Sequence, residues 1–224
     1  MTVPSRSHLD LTGERLRDGT ASGDDWRLLR EYRTWIRDSV APLLALVREL
    51  AETEGIVFST RLKTDYSIVE KLRRSTLRLR QVDDIMGCRI IVGDVPAQDE
   101  IVRRIAALGA SKTRDRRLHP SSGYRAVHVI LGSSPFLEVQ IRTRRQDAWA
   151  ELSERIADRY GIHVKYGAGP DRLRKMLDAL SEYIARLEDA ATSGRDISLL
   201  PDFASHDRAS SDARTTLAEI RDLL

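Results

Sequence analysis

The sequence predicts an α+β fold, a mixed β-sheet covered by helices, and three observations predict it. Stretches of strand character alternate with stretches of helical period in the order β-α-β-α-β-β-β-α, and only a sheet with helices packed on it satisfies that mixture. Hydrophobic residues make up 41% of 224, enough for a well-buried core, and charged residues 32%, enough for a solvated surface. No apolar run approaches the ~20 residues needed to cross a bilayer.

Taken in order, residues 1–23 are polar, lack an apolar signal core and read as a flexible N-terminal tail. From Asp24 to about Thr53, apolar residues such as Leu29, Ile36, Val40 and Val47 recur at helical spacing, and Gly55 marks the stop. Val57 to Lys63 alternates like a strand. Asp65 to about Leu79 returns to helical period through Ile68 and Leu72. Asp84 to Val92 contains Cys88-Arg89-Ile90-Ile91-Val92, the β-branched signature of a buried strand. Asp94 and Pro96 open a helix that ends near Gly109. Ala110 to Arg117 reads as a basic edge strand, and His119 to Gly123 as a loop. Two strands follow, Tyr124 to Leu131 and Phe136 to Thr143, then helices over Arg144–Tyr160 and Pro170–Thr192. Residues 193–210 have the composition of a tether, and 211–224 of a short amphipathic helix. This plan gives one domain, 24–192, with a tail, a linker and a terminal helix.

A single cysteine, Cys88, excludes an internal disulfide framework and reads as a small buried side chain; a cytoplasmic protein is expected. Net charge is only +3, but the positive residues cluster. Arg61 to Arg89 carries eight Lys/Arg against four Asp/Glu, and Ile101 to His128 seven against one. Such tracts suit phosphate-bearing partners, yet they also suit an ordinary solvated surface, so spacing must decide.

Spacing singles out four elements. In the first, Arg61 and Lys63 share a strand face, while Ser67, Lys71 and Arg74 lie at i, i+4 and i+7 on the following helix, with Ser67 near the helix N-terminus. Four cations and a hydroxyl directed at one point suit a triphosphate. The second is Asp84-Ile85-Met86-Gly87-Cys88-Arg89, a carboxylate at a strand's start that suits magnesium. Arg89 is at an odd offset from Asp84, so a regular strand would put them on opposite faces unless Gly87 allows a bulge. In the third, Gly123 to His128, Tyr124, Ala126 and His128 alternate to one face, where the ring could stack on a base. In the fourth, Glu138, Gln140 and Arg142 share one face of a strand whose other face is Val139 and Ile141. Glu138 there suits a magnesium site shared with Asp84, or acceptance of a proton from an attacking hydroxyl.

From about Val57 to Tyr160, nearly half the chain, these four elements in this order and approximate spacing resemble the synthetase domain of the RelA/SpoT family, a nucleotidyltransferase-like fold. The size of the chain resembles the small alarmone synthetases. The resemblance implies an ATP pyrophosphokinase that moves the β,γ-diphosphate of ATP to a nucleotide 3′-hydroxyl, with Mg2+ as cofactor and AMP leaving. It implies that Arg61 and Arg89 sandwich the adenine and that Lys63, Ser67, Lys71 and Arg74 hold the phosphates. Asp84 and Glu138 would bind the metal, and Glu138 would also activate the acceptor hydroxyl. Tyr124 would stack on the acceptor base, with Arg125, His128, Gln140 and Arg142 shaping the acceptor side. Trp149 matches a family tryptophan with a packing role.

Two departures fall on the acceptor side. The family's lysine four residues before the stacking tyrosine is Pro120 here, and its histidine five residues after the tryptophan is Glu154. Losing a charge-assisted contact to a 5′-phosphate is worth ~1.5–3 kcal/mol. The chain is thereby similar to the toxic small synthetases that modify the 3′-terminal adenosine of tRNA. That acceptor stands slightly ahead of GDP or GTP, which Arg116 or Arg117 could restore. A non-catalytic RNA-binding module is the third reading. The implied partners are ATP, a tRNA 3′ end or a guanine nucleotide, and, for a toxin, an antitoxin protein; self-association stays open, and no membrane is expected.

Overall fold

The structure is a computed structural model and describes residues 5–160 and 171–196. Its elements are α1 (Arg6–Asp18), α2 (Gly23–Thr53), β1 (Val57–Leu62), α3 (Asp65–Arg73), β2 (Met86–Val92), α4 (Val95–Ala106), β3 (Ala110–Asp115), β4 (Val127–Leu131), β5 (Leu137–Thr143), α5 (Arg144–Tyr160) and α6 (Asp171–Thr192). The strands form one five-stranded mixed sheet in the order β1-β2-β5-β4-β3. The α+β class and the element order from β1 to α5 are those the sequence predicts.

Ser22 starts α2 with a reciprocal cap: its hydroxyl accepts from the Asp25 amide, and the Asp25 carboxylate accepts from the Ser22 amide at 2.8 Å. The buried stripe of α2 is Leu29, Tyr32, Ile36, Val40, Val47 and Ala51. β2 alternates cleanly, with Met86, Cys88, Ile90 and Val92 buried and Gly87, Arg89 and Ile91 half-buried on the other face. β4 is buried along its whole length. β3 takes the sheet edge, as its basic composition suggests.

Three expectations are corrected. The expected tail at residues 1–23 contains α1, which buries Leu9, Thr12, Gly13 and Leu16. Two leucines seven apart with two small residues between them form a narrow apolar stripe inside a polar segment. The close approach is physical: a Cβ on Gly13 would stand 2.9 Å from that of Leu79. Thr12 donates to Asp25 at 2.9 Å, Asp10 accepts from Arg78 and Arg80, and Arg17 caps the Leu72 carbonyl at 3.0 Å. Second, the helix expected to reach Leu79 stops at Arg73, and a 3-10 turn covers Leu79–Gln81. There the Ser75 hydroxyl donates to the Lys71 carbonyl at 2.7 Å, an alternative to continued helix. Third, the strand expected from Tyr124 begins at Val127, because Tyr124 closes a turn by donating its amide to the Ser121 carbonyl at 3.0 Å.

The chain divides into two compact units where one domain was expected. The first takes residues up to Ile90 together with Ile101–Arg114 and His128–Ile141, and holds α1, α2, β1, α3 and most of the sheet. Its core includes Leu16, Leu29, Ile68, Leu72, Leu79 and Ile90. The second takes Ile91–Glu100, Asp115–Val127 and Arg142 onward. It centres on Trp149, Ala150, Ile156, Met176, Leu177 and Ile184 from α5 and α6. No linker composition marks the division, because the chain changes unit inside β2 and β5. The expected tether and C-terminal helix lie, from residue 197 onward, outside the described residues. Among those described, no helix is long and apolar enough to cross a membrane.

Candidate active site

In the first unit, Thr64 caps α3: its Oγ1 accepts the Ser67 amide at 3.2 Å and donates to the Ser67 hydroxyl at 2.9 Å. The helix-start amide expected to meet an anion therefore already has a partner, which the sequence reading missed. Lys63, just beyond β1, is fixed by its amide donating to the Ile85 carbonyl at 2.8 Å. This brings Lys63 and Lys71 onto Asp84. Lys63 Nζ donates to Asp84 Oδ2 at 2.7 Å, and Lys71 Nζ lies 2.9 Å from Oδ1. The second contact is ionic rather than a well-angled hydrogen bond, so Oδ1 is buried without a hydrogen-bond partner. Asp83, absent from the expected set, joins the cluster: it pairs with Arg114 of β3 and stands 3.5 Å from Lys71. Burial raises the pKa of both carboxyls, but Arg114 and Lys71 at Asp83, and Lys63 and Lys71 at Asp84, outweigh it and hold both below the usual carboxylate value.

The other phosphate-side residues stand outside these ion pairs. Arg61 is exposed on the edge strand. Arg74 is exposed at the end of α3, its Nε donating to the Glu70 carbonyl at 3.2 Å. Arg89 is half-buried and alternates to the same face of β2 as Gly87.

Glu138 lies on β5, beside β2. A Cβ on Gly87 would stand 3.6 Å from the Glu138 Cβ and 3.7 Å from its Oε2, so Gly87, three residues past Asp84, faces this carboxylate. Glu138 is buried and bracketed: His128 Nδ1 is 2.7 Å from Oε1, and Gln140 Nε2 donates to Oε2 at 2.8 Å. Residues read from two separate motifs thus meet. Cys88, on the other face of β2, is buried, and burial followed by the Glu138 charge pushes its thiol up to about 12.

In the second unit, Arg142 is 4% exposed. Its Nη1 donates to Asp147 at 2.9 Å and its Nη2 to the Tyr124 hydroxyl at 3.0 Å, and the guanidinium lies over the Tyr124 ring, 5.0 Å from the centroid. Arg125 Nε donates to Ser181 Oγ at 2.8 Å, and its guanidinium also reaches the Arg117 carbonyl. Arg142 and Arg125, both expected at the acceptor, therefore have partners within the protein. Of the two arginines that could replace the missing lysine, Arg117 binds Asp115 and Asp99, the latter at 2.6 Å. Arg116 donates its amide to the Ala126 carbonyl at 2.9 Å.

A family profile described as a region found in RelA/SpoT proteins matches residues 60–163. An uncharacterized protein of Mycobacterium bovis is 34% identical over 192 residues, covering 80% of this chain and 69% of that one. The chain belongs to the RelA/SpoT family. A probable chloroplastic GTP diphosphokinase of Oryza sativa is another family relative, 34% identical over 126 residues; the alignment takes in 52% of this chain and 17% of the plant protein. Small alarmone synthetase 2 of Bacillus subtilis shares the fold, with TM-score 0.61 at 23% identity over 75% of this chain and 97% of that one. Every residue of the four motifs falls within the RelA/SpoT match. So do Asp83, Arg114 and Asp147, which only the folded arrangement brings to notice.

Proposed function

We propose that this chain transfers the β,γ-diphosphate of ATP to a ribose 3′-hydroxyl, with the 3′-terminal adenosine of tRNA ahead of GDP or GTP as acceptor. Membership of the RelA/SpoT family makes it a pyrophosphokinase. The observation that carries the donor-side reading is the convergence of Lys63 and Lys71 on Asp84, two residues before β2, the strand that pairs with the strand of Glu138. Two fixed ammonium groups can follow the phosphate charge as it develops on the leaving AMP. Glu138 is the proton acceptor for the 3′-hydroxyl, its carboxylate oriented by His128 and Gln140. Arg61, Ser67, Arg74 and Arg89 complete the ATP side by their place in the motifs. Tyr124 is the acceptor-side ring.

The donor set fits magnesium. Asp84, whose two oxygens face the Lys63 and Lys71 ammonium groups, and Glu138 are the carboxylates that would hold it. Among the described residues no group of three or more His, Cys, Asp or Glu forms a cage. An ion of this kind is commonly held by one or two carboxylates with phosphates and water. When bound, the ion supplies neutralisation of phosphate charge.

Pro120 in place of lysine and the commitment of Arg117 to two aspartates support the tRNA acceptor. The plant relative's name, a probable GTP diphosphokinase, supports the guanine acceptor. ATP labelled at the γ-phosphate, offered with tRNA, GDP and GTP in competition, separates them. Label on tRNA that disappears when the CCA end is removed is the expected result. Label only in guanine tetra- or pentaphosphate replaces tRNA with the guanine acceptor. A chain that consumes no ATP with any acceptor refutes the enzymatic reading and leaves RNA binding; a Glu138→Gln variant with undiminished transfer removes Glu138 as the proton acceptor.

A further inference from the structure

We infer that Asp147 and Arg142 are positioning residues that hold the Tyr124 ring for the acceptor base, and that Arg142 does not itself bind the acceptor. The inference rests on the reading of Tyr124 given above. Arg142 is buried, and two of its donors are spent, one on Asp147 at 2.9 Å and one on the Tyr124 hydroxyl at 3.0 Å. A phosphate that drew this guanidinium away from Asp147, itself 7% exposed, would strand a buried carboxylate. The same guanidinium lies over the ring at 5.0 Å from the centroid, so it covers one face. A base is then left the part of the ring that neither Arg142 nor the Trp149 cluster covers.

The backbone on either side of the ring is held as well. Gly123 has φ +79°, and a Cβ there would lie 2.6 Å from Trp149 Cζ2, so the chain passes tightly against that indole. The indole is fixed in turn by Nε1 donating to the Leu177 carbonyl at 2.8 Å. Arg125 ties the following residue to Ser181. Asp147 lies in the first turn of α5, where an acidic side chain is favoured, so helix start, carboxylate, guanidinium and phenol form one chain of contacts ending at the ring. An aromatic platform held in place before binding loses little freedom when a base arrives, and that lowers the acceptor's KM without touching ATP.

The test measures steady-state transfer from labelled ATP to whichever of tRNA, GDP or GTP the wild-type chain labels. Tyr124→Phe keeps the ring and removes the tie; Asp147→Asn keeps the shape and removes the charge that orients Arg142. Each is expected to raise the acceptor KM about tenfold, the weight of one hydrogen bond to a charged group, with the KM for ATP within about twofold of wild type. The double variant is expected to be no worse than Asp147→Asn alone, because both changes break one chain of contacts. A wild-type chain active on its acceptor, with folded Tyr124→Phe and Asp147→Asn variants whose acceptor KM is unchanged, overturns this inference and leaves the functional reading standing. Equal rises in both KM values, or additive effects in the double variant, also overturn it. A wild-type chain that labels no acceptor overturns the functional reading, and this one with it.

Discussion

Replacing Gly123 with alanine imposes two separate penalties on one position. Its φ of +79° lies in the left-handed region, where an L side chain costs ~1–2 kcal/mol. The new Cβ would stand 2.6 Å from Trp149 Cζ2 and 3.2 Å from both the Leu177 carbonyl and Asp178 Oδ1. The indole cannot retreat without giving up its hydrogen bond to Leu177, so overpacking adds ~1–3 kcal/mol. The sum, ~2–5 kcal/mol, corresponds to a melting temperature roughly 4–20 °C below wild type for a chain of this size. Gly55→Ala is the control: its φ is +63°, but nothing lies within 4 Å of the added Cβ, so only the backbone cost applies. Circular dichroism melts of the three proteins under one condition make the comparison. Gly123→Ala melting no lower than Gly55→Ala would show that the indole is not held where the contacts put it.

Other outcomes follow from the same structure. Lys71→Met should raise the KM for ATP about 10–100-fold, the loss of one charge-assisted phosphate contact, with the acceptor KM little changed. Chelation by EDTA should lower transfer at least about a hundredfold, and Mg2+ should restore it; full activity in EDTA would remove magnesium from the reading. The Arg15 guanidinium, with Ser22 and Thr12, holds the Asp25 carboxyl well below the usual carboxylate range against the opposing effect of burial. A folded pKa below the unfolded one means that Asp25 stabilises fully above the unfolded value, ~4, and that this is lost as pH falls through the folded value. The melting-temperature gap between wild type and Asp25→Asn should therefore be widest at pH 6 and shrink toward pH 2. A gap constant with pH would refute the ion pair. Cys88, with its thiol pushed up to about 12, should react with iodoacetamide at pH 8 far more slowly than in the denatured chain.

The parts of the fold written as long periodic signals were legible in the sequence. α2, β2 and α5 lie within one or two residues of their expected ends, because apolar residues at fixed spacing leave few ways to be buried. α1 was not legible: its buried stripe rests on two leucines and two small residues, and hydrogen bonds from Thr12 and Arg17, invisible to composition, hold it. At the candidate site, the motifs named Lys63, Lys71, Asp84, Glu138, His128 and Gln140, and the fold pairs them. The motifs could not say that Arg142 faces inward to Asp147. Strand alternation fixes which side a residue points to, not whether an ion pair awaits it there. Nor could they separate Arg116 from Arg117, since the aspartates that engage Arg117 stand 2 and 18 residues away.

The buried amide and carboxylate set at the end of β5 bears on where this protein can be cut. Gln146 accepts from Gln98 at 2.9 Å and donates to Glu188 at 3.1 Å, while the Thr143 hydroxyl also donates to Glu188. Glu188 belongs to α6, beyond the family match that ends at residue 163. A fragment trimmed to the matched residues would deprive the Thr143 hydroxyl of its buried acceptor and leave the Gln146 side chain only its contacts with Gln98 and the Thr143 backbone. Its yield and solubility would then report on that missing carboxylate rather than on the catalytic machinery.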